Sequence, residues 1–403
     1  MLKVGGSTPY HPGRAGVYAT TPDGWRAFHP KGLPPDPPLQ LSASILGLLA
    51  TASTELGRLD GAAEVVPDPD FFVYSYVRKE AVLSSQIEGT HSTLIDLLDF
   101  EAGAKRESYP RDVLEVANYV RALNGALQRV RAGAPLSTEL LQDTHKILLH
   151  RVRGDEAEPG MLKSRQNWIG PRGSSPATAD YVPPPPNETP QLMRELMEFV
   201  QADTLEPPLL RGGLAHSQFE TIHPFLDGNG RIGRLLVTLL LTKCGALRRP
   251  VLYLSYYFLC NRDEYTRRLQ RVRDDGDWEG WIEFFLRGVR ETSIQATDTA
   301  RSVLSIKSEH ESLVGGELGK RSGAGLRLLG QLFHRPVITV KDVATAIGTT
   351  YPPANALVDR FVEMKLLVEV TGQKRNRFFR YQPYIDVLQL DSFPRNRNES
   401  STQ

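Results

Sequence analysis

Twelve consecutive residues, His223-Pro224-Phe225-Leu226-Asp227-Gly228-Asn229-Gly230-Arg231-Ile232-Gly233-Arg234, run directly into the apolar stretch Leu235 to Leu241. The apolar run reads as a helix whose positive N-terminal end faces the glycine-rich turn before it. Glycines there let backbone amides approach an anion without side-chain interference. Arg231 and Arg234, three apart, share a helical face and can clamp further phosphate oxygens. Asp227 is a hard oxygen ligand suited to Mg²⁺ across a nucleotide diphosphate, and His223 is the residue type best able to take a proton near neutral pH. A plain Gly-Asn-Gly turn needs neither the upstream His and Asp nor two in-phase arginines, so the segment predicts nucleotide transfer.

The chain has 403 residues, enough for two or three domains each with its own core. Forty-eight basic residues stand against 47 acidic ones, a net charge of +1, so no global field points to nucleic acid or an anionic membrane. The only cysteines, Cys244 and Cys260, sit in apolar segments; both are expected to be small core residues in a reducing compartment. The first residues carry no apolar stretch of signal-peptide length, and the run 235–241 is far too short to cross a bilayer. A cytoplasmic protein that does not enter the membrane is the expectation.

Residues 1 to about 40 are rich in Pro and Gly and read as an extended arm. Helical periodicity follows at Leu41 to Leu59 and at about Asp70 to Ser85, then at Arg111 to Ala132, Ser137 to Arg151 and Thr189 to Ala202. Between the last two, Gly160 to Pro186 carries two short extended arms about a Gly/Pro/Ser turn, which reads equally as a hairpin or as a surface loop. Tyr253 to Gln270 and Trp278 to Thr292 read as two further helices, the first bearing Tyr257, Asn261 and Tyr265 on one face. Ser305 to Ser322 reads as a connector. Beyond it, helices at Leu326 to Phe333, Lys341 to Ile347 and Ala354 to Leu367, with an extended pair over Val368 to Tyr381, resemble a winged helix. The expected organisation is 1–110, 111–300, a linker at 301–322, a winged-helix-like unit at 323–390 and a tail at 391–403.

The twelve-residue string matches HPFx(D/E)GNGRxxR, the motif of the Fic family, at every fixed position, and the chain resembles that family over about residues 40 to 300. The resemblance implies a mainly α fold, a Fic helical bundle with a β-hairpin flap and here a C-terminal winged-helix (α+β) domain. It implies a protein adenylyltransferase that moves AMP from ATP onto a Ser, Thr or Tyr hydroxyl of a target, and onto itself, with Mg²⁺. His223 would be the general base, Asp227 the metal ligand, and the amides of Gly228, Asn229 and Gly230 the phosphate cradle. Ile232, Gly233 and both arginines complete the ATP site. Glycine at 230 favours AMP transfer, because a relative that phosphorylates its target has Lys there and binds the nucleotide reversed. Tyr257 and Asn261 are the expected adenine contacts, with Tyr265 behind them, and the target would dock along the flap at 165–184. Homodimers occur among such relatives.

Upstream, Ser84-Ser85-Gln86-Ile87-Glu88-Gly89 fits the family's inhibitory pattern (S/T)xxxE(G/N), with Ser84 and Glu88 four apart on a helix that ends at Gly89. The resemblance pairs Glu88 with Arg234, taking that arginine from the γ-phosphate of ATP; in some relatives the same glutamate also supports AMP removal. The region 301–403 holds 15 Lys and Arg against 10 Asp and Glu, with Lys374, Arg375, Arg377 and Arg380 in the wing and Phe378 and Phe379 between them. That cluster suggests DNA contact through 354–381, yet Asp359 and Glu363 on the third helix suit protein docking as well. The competing reading is a DNA-binding regulator that uses the nucleotide site as a sensor.

Overall fold

The computed structural model of the protein describes residues 11–65, 69–103, 112–203, 206–373 and 376–389. The proline-rich start is a hairpin rather than an extended arm: β1 (Gly16–Thr20) and β2 (Arg26–Pro30) pair antiparallel, Gly16 opposite Pro30. Phe28 is buried, and its amide donates to the Val182 carbonyl at 2.9 Å, which seats the hairpin beside the 165–184 segment. Residues 1–10 of the expected arm lie outside the described residues.

A helical body follows, made of α1 (Ala43–Val65), α2 (Pro69–Ile87), α3 (Leu94–Ala102), α4 (Val113–Arg131), α5 (Thr138–Leu148), α6 (Thr189–Gln201), α7 (Pro208–Ile222) and α8 (Asn229–Lys243). Next come α9 (Leu254–Cys260), α10 (Arg262–Asp275) and α11 (Trp278–Leu318). Helix α8 packs against α7 and α4, and its leucines 235, 236, 239, 240 and 241 are wholly buried. Helix α7 escaped the sequence reading for a physical reason: every residue from Leu209 to Ile222 is buried, so it has no polar face to make a period. Helix α3, also unforeseen, is a nine-residue piece closed by a Thr93–Asp96 capping box and Gly103.

Three sequence expectations need correction. Tyr253 to Gln270 is two helices, because Asn261 (φ −122°, ψ 39°) breaks the run and its side-chain amide donates to the Tyr257 carbonyl at 2.9 Å. The expected connector is helix: α11 continues to Leu318, and the buried His310 and Val314 show that packing overrides the local Gly-rich composition. Cys244 and Cys260 are exposed, since each falls at the C-terminal end of its helix, α8 and α9.

After a single turn at Gly319–Arg321 the chain forms α12 (Ser322–His334), β3 (Val337–Thr339), α13 (Val340–Ile347), α14 (Tyr351–Glu363), β4 (Val368–Glu369), β5 (Phe378–Arg380) and α15 (Gln382–Gln389). The three strands make an antiparallel sheet in the order β3-β5-β4. This unit is fastened to the body: Arg380 bonds Asp99 of α3 at 2.7 Å, His310 of α11 shares a 2.6 Å hydrogen bond with the Tyr381 hydroxyl, and Ser75 of α2 bonds the Tyr384 hydroxyl. The expected basic wing is largely spent inside the protein. Arg377 bonds Asn355 and pairs with Asp359 of α14, Arg380 turns inward, and Phe379 is core. Lys374 and Arg375 lie outside the described residues. No helix among the described residues is long and apolar enough to cross a membrane.

Candidate active site

His223 ends α7 in the left-handed region (φ 49°, ψ 61°), its amide still donating to the Phe219 carbonyl at 2.9 Å. A non-glycine residue stays there only when its surroundings over-determine it. The surroundings do so from the 160–182 segment. The buried Lys163 ammonium donates to the Ile222 carbonyl at 3.0 Å, Asn167 donates to the carbonyls of His223 and Phe225 at 2.9 and 2.7 Å, and the Tyr181 hydroxyl donates to the Thr221 carbonyl at 2.6 Å. The His223 side chain is 17% exposed. Burial, with the Lys163 and Arg273 cations nearby, holds the imidazole well below its ordinary value, at about 3, so it is a neutral proton acceptor at physiological pH.

Gly228 (φ 78°) turns the chain into α8, whose first amides, at Asn229, Gly230 and Arg231, have no carbonyl one turn back to serve. They form the positive end that an anion would meet. The Asn229 side chain is committed elsewhere: it donates to the Phe225 carbonyl at 2.7 Å and accepts from the Phe225 amide at 2.8 Å, stapling the loop. Arg231, almost wholly buried, reaches Glu115 of α4 at 3.3 Å and Asp227 at 3.7 Å. Arg234 points instead to α2, donating to the Ser84 hydroxyl at 2.9 Å, the Ser84 carbonyl at 2.8 Å and a Glu88 carboxylate oxygen at 2.6 Å. The two arginines therefore diverge. Burial alone would raise the Glu88 carboxyl, but Arg234 and Arg231 bring it below its ordinary value, so it is an anion paired with Arg234. Gly230 lies directly beneath: a Cβ there would collide with the Glu88 carboxylate and come 3.0 Å from the Arg234 guanidinium.

Residues 46–128 match the family profile described as Fic/DOC family N-terminal, and residues 135–241 match that described as Fic/DOC family. Over those residues the chain carries Fic/DOC domains. It is 27% identical over 205 residues to a probable protein adenylyltransferase of Aquifex aeolicus, a match covering 50% of this chain and 57% of that protein. It is 26% identical over 225 residues to the protein adenylyltransferase Fic of Culex quinquefasciatus, covering 54% and 41%. The chain thus spans about half the length of the curated relatives it matches. A Fic family protein structure from Desulfovibrio desulfuricans superposes with a TM-score of 0.55 at 23% identity, covering 85% of this chain and 97% of that one, which shows a shared fold.

Within this Fic/DOC site the remaining expected residues divide. The Ile232 side chain is fully buried in the core and cannot face a ligand; any nucleotide contact there would be through backbone. Gly233 faces α7, where a Cβ would sit 2.5 Å from a Glu220 carboxylate oxygen and 3.1 Å from Phe219. Tyr257 is buried against Phe284, ring centroids 5.0 Å apart, and Tyr265 is buried with its hydroxyl on His216 at 2.8 Å, while the Asn261 amide donates to the Tyr257 carbonyl at 3.0 Å and the Tyr265 amide to the Asn261 carbonyl at 2.8 Å. Asn261 sits half-buried at the junction of α9 and α10. The expected flap is one antiparallel bridge, Ile169 to Tyr181, closing the loop between them, with Trp168 exposed beside it.

Several site residues carried no sequence signal. His145 stacks on Phe225 at 3.9 Å; its Nδ1 accepts from the Gly160 amide at 2.9 Å, which leaves Nε2 to donate to the Asp227 carbonyl at 2.9 Å. Burial pushes that imidazole down to about 4, so the neutral tautomer is fixed. Lys163, Asn167, Glu115 and Glu220 likewise stand outside the motif; each would have looked like an ordinary surface residue of its segment.

Proposed function

We propose that the protein is an adenylyltransferase acting on proteins, itself among them, held in check by Glu88. The observation that carries this reading is the contact of Glu88 with Arg234 directly over Gly230, at the mouth of a helix start that also presents neutral His223 and three unpaired amides. The names of the relatives support the same reaction. In it, a target hydroxyl oxygen bonds to the α-phosphorus of ATP while its proton passes to the free nitrogen of His223. The bond from that phosphorus to the bridging oxygen breaks, and pyrophosphate leaves with the electron pair. The α8 amides and Arg231 bear the phosphate charge, and Arg234 would take the γ-phosphate once Glu88 lets it go.

Mg²⁺ fits the donor set. The Asp227 side chain is 42% exposed, its Oδ1 accepts from the Gly228 amide at 2.5 Å and stands 3.7 Å from Arg231, and no cluster of three or more metal-binding side chains exists among the described residues. One carboxylate plus substrate phosphates is the usual arrangement for this ion. When bound, it supplies positive charge across the phosphates. The target is proposed to lie along 165–184, which Lys163, Asn167 and Tyr181 tie to the His223 turn, so a chain docked there meets the base.

A winged-helix reading of residues 323–389 has strand order in its favour, but DNA contact through 354–381 has the charge against it. The described arginines of the wing are paired, and α14 exposes Tyr351, Asp359 and Glu363. The test is incubation with ATP labelled at the α-phosphate, using the unaltered protein, Glu88→Gly and Glu88→Gly with His223→Ala, with the adduct mass read by mass spectrometry. An AMP adduct that grows in the first variant and vanishes in the second is expected. No adduct from Glu88→Gly overturns the reading and favours a nucleotide sensor.

A further inference from the structure

We propose that Glu220 is the positioning residue for His223, its carboxylate accepting a hydrogen bond from Nδ1–H so that Nε2 is presented to the target hydroxyl. This rests on the adenylyl-transfer reading and deepens it. Glu220 lies on α7 three residues before His223, and one carboxylate oxygen stands 3.9 Å from His223 Nδ1. The other carboxylate oxygen and Nδ1 are both buried with no hydrogen-bond partner. Two orphaned buried polar atoms on facing groups are rare, and a closure of about 1 Å would satisfy Nδ1. The Glu220 backbone carbonyl is the other acceptor near the ring, in a geometry that falls short of a hydrogen bond. Room for the carboxylate depends on α8: only glycine at 233 leaves the space, since a Cβ would sit 2.5 Å from the Glu220 oxygen.

The surrounding charges tie this pair to the inhibitory contact. Lys163, Arg273 and Glu88 face the imidazole besides Glu220 itself, while Arg234, Glu88 and Arg273 face the Glu220 carboxyl. Burial pushes Glu220 up to about 7, Arg234 opposing and Glu88 adding to the rise. With Glu88 in place, Glu220 is therefore partly neutral at physiological pH and a poor acceptor for Nδ1–H. Removing the Glu88 charge favours the Glu220 anion, which fixes the imidazole tautomer with its acceptor nitrogen outward and stabilises the imidazolium formed as the target's proton arrives. Glu88 would thus restrain the base as well as the arginine.

The experiment compares Glu88→Gly with Glu88→Gly plus Glu220→Gln, an isosteric change that keeps the volume and removes the anion. In the first, transfer of the α-phosphate label should rise with pH along a limb that lies below about 7, because the Glu88 charge no longer adds to the rise of the Glu220 carboxyl. In the second, kcat should fall roughly 10- to 100-fold, that limb should vanish, and KM for ATP should stay within about twofold. An unchanged kcat and pH profile overturns the proposal. So does a rise in KM for ATP at constant kcat, which would assign Glu220 to Arg234 instead. Nitrogen-15 NMR of His223 reads the same pair without turnover: the proton should reside on Nδ1 with Glu220 present and lose that preference in Glu220→Gln. If Glu88→Gly transfers nothing, the adenylyl-transfer reading fails, while the NMR result still decides the His–Glu pair; no change in the tautomer signal refutes it.

Discussion

Removing the Glu88 carboxylate should release the site, and the size of the effect follows from the contacts of Arg234. That guanidinium makes three hydrogen bonds, two to Ser84 of α2 and one to Glu88 just beyond it, of which the Glu88 bond at 2.6 Å is the one between opposite charges. A charge-assisted bond of this kind contributes about 1.5–3 kcal/mol. The Glu88 side chain is 34% exposed, so solvent screening favours the lower half of that range. If the γ-phosphate must displace Glu88 to reach Arg234, losing the competitor raises the rate by about 10-fold, with about 150-fold as the ceiling. Glycine adds little strain, because Glu88 lies just past the last residue of α2. The assay is the initial rate of α-phosphate label transfer at saturating ATP for the unaltered protein, Glu88→Gln and Glu88→Gly. Glu88→Gln, which keeps an acceptor but no charge, should fall between the others. Equal rates for all three would refute the competition; a full effect already in Glu88→Gln would show that charge alone matters.

Gly233→Ala should lower stability by about 1–3 kcal/mol, read as a lower denaturation midpoint, because its Cβ meets Glu220 and Phe219 across the α7–α8 contact. Glu80, buried beside Ser255 and pushed up to about 7 by its burial, keeps a proton in the folded protein that the unfolded chain has lost above its ordinary value near 4.5. Stability should therefore decline as pH rises from about 4.5 to about 7, and Glu80→Gln should flatten that slope in urea titrations at several pH values. Arg380→Met should cost about 1.5–3 kcal/mol, since it removes the charge-assisted bond at 2.7 Å between Arg380 and buried Asp99; thermal melts at neutral pH measure this, and Asp99→Asn in the same chain should recover part of the loss.

The loop before α8 was legible because the chemistry proposed for it is local: the histidine, aspartate, glycines and arginines assigned to one anion lie within twelve consecutive residues. The Ser84 to Glu88 helix end was legible for the same reason, and the structure brings it onto Arg234. What stayed hidden depends on distant partners. Lys163 matters because the Ile222 carbonyl is there to receive it, and Glu220 because α8 has no side chain at 233. Helix α7 has no polar face, so the element that delivers His223 left no periodic trace. The break between α9 and α10 was not legible, because Asn261 leaves helical dihedrals while the apolar spacing runs on through it.

The 41 residues of α11 make one continuous helix about 60 Å long. Its first half is embedded in the Fic body, and its second half carries buried His310 and Val314 against the C-terminal unit. A cut near residue 300, where composition suggests a border, would fall between buried Ala300 and Val303 and leave both fragments with an open apolar seam. The two halves share a spine, and heat should melt them in one cooperative step where tethered modules would give two.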